Sequence, residues 1–250
     1  MTIATKNWWE ESSEDYQEAS KIPTTYIHYG VSCPPESKLR LLGKIKGKRI
    51  LEIGCGGAQN SIYFAKHGAK VNAVDISAKQ LKFAKKLAEK NKVLNKIIFN
   101  QGDIKNLKPI KSKSQNIVFS VFALQYVDDL KKCFREVNRV LKKNGLFVFS
   151  LDHPFFDTFM SKKWGKERSY FKTGKFSVDW GRKSRFVMYD HTVSELFNLL
   201  IESGFVVEKI LEPQDNKKYY KYDPWHRLWD YTKKNVEKYP PTIIFKARKK

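Results

Sequence analysis

Residues 51–61 read LEIGCGGAQNS, an apolar strand pattern that meets an acid and then three glycines within four residues. Gly54, Gly56 and Gly57 permit a tight turn and a close approach of the backbone to a ligand. The backbone amides at the start of the helix that should follow can hold a carboxylate or a phosphate. Glycine-rich loops occur in many ligand-binding proteins, so the flanking segments have to identify the ligand.

The segments around this loop alternate between short apolar strands and helical patterns. Such alternation is typical of a parallel sheet built by right-handed crossovers. The predicted strands are RILEI (49–53), KVNAVD (70–75), IIFNQ (97–101), NIVFSV (116–121), LFVFSL (146–151), FVVEKIL (205–211) and TIIFKA (242–247). We therefore predict an α/β fold with one doubly wound, seven-stranded sheet.

Capping and stop signals mark helices between these strands. The predicted helices run from Ser77, in capping-box spacing with Gln80, to about Lys90; from behind Asp128 to the stop at Asn144-Gly145; and from Thr192, in capping-box spacing with Glu195, to Gly204.

Three segments fall outside the alternation: residues 1–48, 152–191 and 212–240. Of the 35 aromatic residues, 22 lie within these segments. A connection that long inside a compact domain is usually functional, often as a lid over a binding site. We expect a single domain over residues 1–250, in which an N-terminal cover and two inserts surround a binding core at 49–151. The first insert should be loop-rich, and most of its rings should pack on one another while a minority face a ligand.

The formal net charge of +22 allows two interpretations. A strongly basic chain is a candidate for binding RNA or a membrane surface. However, 39 of the 48 basic residues are lysine, spread along the chain, and nine are arginine, the better side chain for bidentate recognition of phosphate and guanine. A general preference for lysine explains the charge at least as well.

The termini and the cysteines favour a cytoplasmic protein. No stretch of about 18 apolar residues is present, and the N-terminus lacks the basic start and apolar run of a signal peptide. Cys33, Cys55 and Cys133 are odd in number, widely spaced and without histidines at metal-ligand spacing. We expect neither disulfides nor a zinc site.

Asp75 narrows the ligand to a nucleoside. It ends the second predicted strand, 21 residues after Gly54, where an acid can take both hydroxyls of a ribose. The dinucleotide fingerprint GxGxxG requires a third glycine at position 59, where this chain has Gln59. A dehydrogenase is therefore a remote alternative.

Taken together, these stretches resemble the class I S-adenosylmethionine-dependent methyltransferases, in the group that includes the ubiquinone- and biotin-pathway enzymes. The resemblance covers about residues 49–151 and is carried by ILEIGCGGAQ (50–59), VDIS (74–77), QGDI (101–104), SVFALQYVDD (120–129) and RVLKKNGLFVFS (139–150). It departs from the family at Ala58, where a third alternating glycine is usual. The resemblance implies a Rossmann-like sheet whose last strand is antiparallel, S-adenosylmethionine as cofactor and S-adenosylhomocysteine as product.

The resemblance also assigns residue roles. Gly54 and Gly56 would hold the methionine part of the cofactor, Asp75 the ribose hydroxyls and Asp103 the adenine amino group. The cofactor-binding residues implied in this way are Tyr29, Glu52, Gly54, Gly56, Gly57, Gln59, Asp75, Ile76, Gln80, Gly102, Asp103, Ile104 and Ser120.

Some of these roles concern the shape of the site. Ile76 and Ile104 would sandwich the adenine, and Glu52 would orient the loop or reach the cofactor's ammonium through water. The segment containing His28 and Tyr29, together with Tyr16, would form an N-terminal cover over the cofactor. Cys55 is expected to be a small filler rather than a nucleophile.

A base is the remaining chemical requirement. An enzyme must align the acceptor with the methyl carbon and, for a hydroxyl or amine acceptor, remove its proton. His153 directly follows the fifth predicted strand and is the first candidate, although a role in holding the lid is equally compatible with its position. His191 and Tyr126 are weaker candidates, and Asp152 is a candidate to orient His153.

The acceptor class is chosen by exclusion and analogy. Enzymes that methylate the amino groups of DNA bases carry a (D/N/S)PPY motif after the fourth strand, where this chain has SVFA. Enzymes that form 5-methylcytosine use a cysteine that follows a proline, whereas Cys33 precedes its proline. DNA base methylation is therefore not expected. Aromatic inserts that can wall off a pocket favour a small organic acceptor at oxygen, nitrogen or carbon. The alternatives are tRNA or rRNA methylation through the basic aromatic segment 216–234, and a cofactor-binding paralogue that transfers nothing.

Overall fold

A computed structural model describes residues 1–162, 167–214, 216, 218–219 and 233–250 of the chain. Its helices are α1 (Ile3–Ser20), α2 (Glu36–Leu39), α3 (Gln59–Lys66), α4 (Ala78–Lys90), α5 (Leu130–Val140), α6 (Pro154–Ser161), α7 (Val193–Glu202) and α8 (Lys233–Val236). Its strands are β1 (Arg49–Ile53), β2 (Lys70–Asp75), β3 (Ile97–Gln101), β4 (Gln115–Val121), β5 (Leu141–Asp152), β6 (Gly174–Val178), β7 (Phe186–Asp190), β8 (Phe205–Leu211) and β9 (Thr242–Lys249).

Seven of these strands form one sheet in the order β3-β2-β1-β4-β5-β9-β8. The pairs from β3 to β5 are all parallel, and β9 runs antiparallel to both β5 and β8. The strand order reverses at β1 and β4, which is where an open α/β sheet leaves a crevice beyond the carboxyl ends of its strands. The predicted fold, including the antiparallel last strand, is confirmed.

Four of the seven strands of the sheet have the limits that the sequence pattern predicts. All of β1 except its first residue is buried, and β1, β2, β3 and β8 agree with the prediction residue for residue. The largest difference is in β5, which begins at Leu141 instead of 146. Leu141 pairs with Gln115 before a register shift, so α5 ends at Val140 and not at the predicted stop.

The helix caps explain where α4, α5 and α7 begin. Ser77 and Thr192 accept hydrogen bonds from the backbone N–H groups of Gln80 and Glu195, as the capping boxes predict. The cap of α5 is Asp129, whose carboxylate accepts from the N–H of Lys132.

Helix α1 is a feature that the sequence pattern did not predict. It packs across the carboxyl edge of the sheet, and Glu10 caps α4 by accepting from the N–H groups of Ala78 and Lys79 at 2.6 and 3.2 Å. The N-terminal segment is therefore tied to the start of the helix that follows β2.

The first insert is more regular than the predicted loop. It contains α6 and the antiparallel hairpin of β6 and β7. Phe186 of this hairpin packs at 4.9 Å between ring centroids on Trp8 of α1, and Trp180 stacks on Phe186 at 4.3 Å. The insert and the N-terminal helix thus cover the sheet edge together.

The described part of the chain also bears on the expectations about membrane spans and cysteines. None of the helices in the described part of the chain is long and apolar enough to cross a membrane. Cys33, Cys55 and Cys133 are free thiols, and all three are buried.

Candidate active site

The main cavity lies at the carboxyl ends of β1, β2 and β4, beneath α1. It has about 680 Å³ of open space, which includes solvent at its mouth. The described residues that line it are Met1, Trp9, Tyr16, Gln17, Ile22, His28, Glu52, Gly54, Cys55, Gly56, Gly57, Gln59, Asn60, Asp75, Ile76, Gln80, Val121, Phe122, Ala123 and Tyr126.

The glycine loop forms the floor of this cavity. Gly54 and Gly56 adopt positive φ angles of 66° and 51°, a conformation that favours glycine. A Cβ atom on Gly54 would lie 2.2 Å from the Cβ of Ala123, so the loops after β1 and β4 meet at this point. Ala58 also takes a left-handed conformation, with φ 57°, so the chain keeps the turn although the family's glycine is replaced.

Asp75 joins the loop after β1 to the loop after β2 at the back of the cavity. Its Oδ2 accepts a hydrogen bond from the N–H of Gly56 at 2.8 Å, and its Oδ1 accepts from the N–H of Ser77 at 2.9 Å. Burial raises the pKa of this carboxyl, while the backbone N–H groups of Ser77 and Gly56 oppose the rise. The carboxyl faces the cavity from the end of β2, as its predicted role with a ribose requires.

Glu52 holds the start of α3. Its carboxylate accepts from the N–H and the hydroxyl of Ser61 at 2.9 and 2.5 Å and from the amide of Asn60 at 3.3 Å. Of the two roles predicted for Glu52, these bonds support the orienting one. Burial raises the pKa of Glu52 to about 7, although its hydrogen bonds oppose the shift.

The raised pKa of Glu52 makes the stability of the protein depend on pH. The unfolded chain releases this proton near its ordinary value of 4.5, whereas the folded chain keeps it to about 7. Between these values the folded state binds more protons, so its stability falls as pH rises. Relative to Glu52→Gln, the protein should lose on the order of 3 kcal/mol of unfolding free energy across this window.

Urea denaturation of both proteins at several pH values between 4.5 and 7.5 measures this difference. Glu18→Gln, which removes an exposed carboxylate of α1, is the matched control for the loss of one acidic side chain. Parallel stability curves for the protein and Glu52→Gln would contradict the assignment.

A chain of three amides closes the cavity on the side of α1. The amide of Gln59 donates to Gln17 Oε1 at 2.7 Å, and the amide of Gln17 donates to Gln80 Oε1 at 2.8 Å. Gln59 and Gln80 were predicted site residues, but Gln17, which joins them, was not. Because Gln17 is buried, it fixes α1 to both helices that begin at the cavity.

We expect Gln17→Ala to reduce the free energy of unfolding by about 1–3 kcal/mol, because it leaves the amides of Gln59 and Gln80 buried without their partner. Urea denaturation gives the value. Glu18→Ala, the neighbouring exposed position, truncates a side chain of similar length and should change stability by less than about 0.5 kcal/mol. Equal effects at the two positions would show that the amide chain does not hold α1.

Several predicted cofactor contacts lie elsewhere. Tyr29 is fully buried in the core, where it donates to Glu36 at 2.6 Å and packs on Phe119, and it does not line the main cavity. Ser120 is also fully buried and donates to the carbonyl of Ile53.

The predicted adenine end of the site also differs. Ile104 is a fully buried core residue, whereas Ile76 does line the cavity. Asp103 accepts from the N-terminal ammonium of Met1 at 2.6 Å, so its carboxylate is engaged. The N–H of Gly102 donates to the carbonyl of Asp75, which gives it a structural role between β2 and β3.

His153 does not face the cavity as a free base. Its Nδ1 accepts from the N–H of Phe155 at 3.2 Å, which caps α6, and its Nε2 lies 2.8 Å from Glu212 Oε1. Both ring nitrogens are therefore used to hold the insert, which is the structural alternative to catalysis. Asp152 does not orient His153 either, because it accepts from the amide of Gln125 at 3.0 Å.

The other two candidates occupy different places. Tyr126 lines the main cavity and packs edge-to-face on Trp9 at 5.4 Å. Burial raises the pKa of Tyr126 well above its ordinary value, so it keeps its proton at neutral pH and is unsuited to the predicted role as base. His191 lies outside the main cavity and lines a second one, with Nδ1 3.2 Å from Glu195.

The main cavity is also lined by residues of the N-terminal cover and of the loops after β1 and β4. Tyr16 and His28 line the cavity as predicted for a cover. Burial lowers the pKa of His28 to about 3, which keeps the imidazole neutral. Burial also raises the pKa of Cys55 well above its usual range, consistent with a filler and not a nucleophile. Phe122, which was not predicted, lines the cavity with a strained φ of 53°.

Comparisons with known proteins agree with this arrangement. Residues 51–149 match the family model for a methyltransferase domain. An uncharacterized protein of Haemophilus influenzae is 27% identical over 224 residues, covering 84% of this chain and 85% of that protein. A malonyl-[acyl-carrier protein] O-methyltransferase of Hamiltonella defensa is 34% identical, and the match covers 59% of this chain and 57% of that enzyme.

A solved structure shares the fold over most of both chains. It is an S-adenosylmethionine-dependent methyltransferase from Mesorhizobium loti, with a TM-score of 0.69 and 25% identity, covering 85% of this chain and 96% of that one. The sequence match to the Hamiltonella enzyme spans a little over half of that protein, whereas the structural match spans nearly all of the Mesorhizobium protein.

Proposed function

The chain is a class I S-adenosylmethionine-dependent methyltransferase, and from this premise we propose that it methylates a small organic acceptor at oxygen, nitrogen or carbon and releases S-adenosylhomocysteine. The observation that carries the proposal is the position of Asp75. Its buried carboxyl lines the main cavity beside the glycine loop, at the end of β2 and next to the point between β1 and β4 where the strand order reverses.

The residues of the cavity fit the cofactor in three parts. The positive-φ glycines leave room for the methionine part, Asp75 offers acceptors for two ribose hydroxyls, and Ile76 offers an apolar face for the base. Gln59 and Gln80 supply amides beside the glycine loop. These roles are proposed from position and chemistry.

When bound, S-adenosylmethionine supplies a methyl group already activated by its sulfonium charge. The protein therefore has to bind, align and desolvate the reactants. Trp9, Tyr16 and Tyr126 line the cavity, and aromatic faces attract a cationic centre. Tyr126 can orient an acceptor by donating its phenolic hydrogen, and neutral His28 can accept or donate a hydrogen bond without adding charge.

A small acceptor is supported by the enclosure of the cavity. Helix α1 and the aromatic hairpin cover the carboxyl edge of the sheet, which restricts access to the main cavity and favours an acceptor of limited size. The Hamiltonella relative is named for an acyl group on a carrier protein, a small reacting group.

RNA is the second candidate acceptor, and the net charge of +22 favours it. The basic aromatic segment 216–234 that motivates it lies largely outside the described residues.

Transfer of labelled methyl groups tests these alternatives. The protein and Asp75→Ala are incubated with methyl-labelled S-adenosylmethionine and an extract of the source organism, and the products are separated by size and nuclease sensitivity. Label in small molecules that is absent with Asp75→Ala would support the proposal. Label in a nuclease-sensitive large fraction would replace it with RNA methylation, and cofactor binding without transfer would indicate a non-catalytic paralogue.

We also propose a cytoplasmic location. The three buried free thiols support it, because reduced cysteines are usual in reducing compartments. Cell fractionation with an antibody against the chain would test the location.

A further inference from the structure

A second cavity lies beside the first, at the carboxyl end of β5 between α6 and β7. It has about 330 Å³ of space including its opening, and the described residues lining it are Gln125, Leu151, Asp152, Pro154, Asp157, Thr158, Tyr170, Met188, Tyr189, Asp190 and His191. Gln125 and Tyr126 are consecutive, and they line the second and the main cavity respectively. The two cavities therefore share this wall at the end of β4.

Two polar groups face the second cavity without a hydrogen-bond partner. Asp157 is 8% exposed and lines the cavity, and no residue in the described part of the chain forms a hydrogen bond with its carboxyl. The Nε2 of His191 is buried and likewise has no hydrogen-bond partner among the described residues. Buried polar groups are nearly always paired, so such groups on a cavity wall indicate a ligand.

The charge at this cavity is opposite to that of the chain. Asp152, Asp157 and Asp190 all line it, although the chain carries a net charge of +22. Arg168 is committed to Asp190 by an ion pair and lies 4.0 Å over the ring of Phe176. Arg168 also acts electrostatically on Asp152 and Asp157, so three carboxyl groups at this cavity share one guanidinium.

We propose that the second cavity is the acceptor pocket and that it takes a primary or secondary amine on an apolar group, with the Asp157 carboxylate facing the acceptor nitrogen. This inference rests on the proposed methyl transfer and adds its substrate class. Tyr170, Tyr189 and Met188 form the walls that would contact the apolar group, and aromatic faces beside a carboxylate are the surroundings that bind organic ammonium ions.

The chemistry of the transfer suits a carboxylate at this place. The bound ammonium first releases a proton to solvent. The lone pair of the resulting neutral amine then forms the new N–C bond, and the C–S bond breaks with its electron pair remaining on sulfur. Positive charge therefore leaves sulfur and appears on nitrogen, where a nearby carboxylate stabilises it. The carboxylate then accepts the N–H proton, which leaves a neutral methylated amine and a neutral thioether.

The surroundings of the two carboxyls disfavour their charged forms when the cavity holds no cation. Burial raises the pKa of Asp157 to about 7, against the lowering effect of Arg168, and raises that of Asp152 well above its ordinary range. An ammonium ion in the cavity would favour their charged forms. A metal ion fits less well, because among the residues that the structure describes no group of three or more histidine, cysteine or acidic side chains is arranged to hold one.

Three probes that share a phenyl ring and differ in their polar group test the preference for an amine. They are phenethylamine, 2-phenylethanol and phenylacetate. Each is titrated by calorimetry into the full-length protein saturated with S-adenosylhomocysteine. We expect phenethylamine to bind at least tenfold more tightly than the alcohol and phenylacetate to bind most weakly. Equal affinity for amine and alcohol, tighter binding of phenylacetate, or binding of none of the three would overturn the inference.

Variants locate the preference. Asp157→Asn should reduce the preference for the amine over the alcohol to less than threefold, whereas Asp179→Asn, an exposed acid of the same insert, should leave it unchanged. An unchanged preference in Asp157→Asn would contradict the assignment. The first titration, of S-adenosylhomocysteine alone, separates the two proposals, since failure to bind it counts against the methyltransferase function and not against the acceptor class.

Discussion

Asp75→Ala is expected to weaken the binding of S-adenosylhomocysteine at least a hundredfold. The carboxyl already accepts N–H bonds from Gly56 and Ser77, and its remaining lone pairs face the cavity. A hydrogen bond to a charged group contributes about 1.5–3 kcal/mol, so losing two ribose hydroxyls removes roughly 3 kcal/mol or more, and each 1.4 kcal/mol is a factor of ten in affinity. Isothermal titration calorimetry with S-adenosylhomocysteine measures the change.

The control for this substitution should also remove a carboxylate that accepts a hydrogen bond from a backbone N–H group, but at a position away from the cavity. Asp129→Ala does so, because Asp129 accepts from the N–H of Lys132 at 2.9 Å as the cap of α5. This variant should lose about 1 kcal/mol of stability and keep its affinity for S-adenosylhomocysteine. If Asp75→Ala binds S-adenosylhomocysteine within threefold of the affinity of the unchanged protein, the ribose of the cofactor does not bind at Asp75.

The sheet and the cofactor side of the site could be predicted because their signals are local. A parallel strand buried on both faces is a short apolar run, and the loop and acid that follow β1 and β2 come to the same edge of the sheet. Gly54 and Asp75 are therefore recognisable from spacing, and both line the main cavity.

Helix α1 could not be found by apolar periodicity because its buried face is polar. Its buried residues are Thr5, Trp8, Ser12, Ser13, Gln17 and Ser20, of which one is hydrophobic. The helix is held to α4 by a hydrogen bond that Gln17 donates and by one that Glu10 accepts. The one local signal was Thr2, which caps α1 by accepting from the N–H of Thr5.

The contacts of the catalytic candidates could not be predicted for a related reason. His153 sits where a base was expected, but its partner Glu212 lies 59 residues further along the chain, and no local pattern predicts that contact. Asp157, one turn into the next helix, resembles an ordinary surface acid in the sequence. Its burial becomes visible only once α6 packs beside the hairpin.

Gly54→Ala is expected to lower the free energy of unfolding by roughly 3 kcal/mol, a large part of the 5–15 kcal/mol typical of a domain. An alanine at φ 66° costs about 1–2 kcal/mol in the left-handed region. Its Cβ would also lie 2.2 Å from that of Ala123, and such overpacking adds about 1–3 kcal/mol. Urea denaturation provides the measurement.

Two further variants separate the backbone cost from the collision. Gly43 has almost the same φ, 67°, but a Cβ there would meet nothing within 4 Å, so Gly43→Ala should cost only the backbone part, about 1–2 kcal/mol. Ala123→Gly removes the colliding methyl group, so in the Gly54→Ala background it should recover part of the lost stability, although alone it destabilises. Because the two sites touch, their effects should not add. Strictly additive effects would mean that the loops after β1 and β4 do not meet at this point, and the floor of the cavity would have to be placed elsewhere.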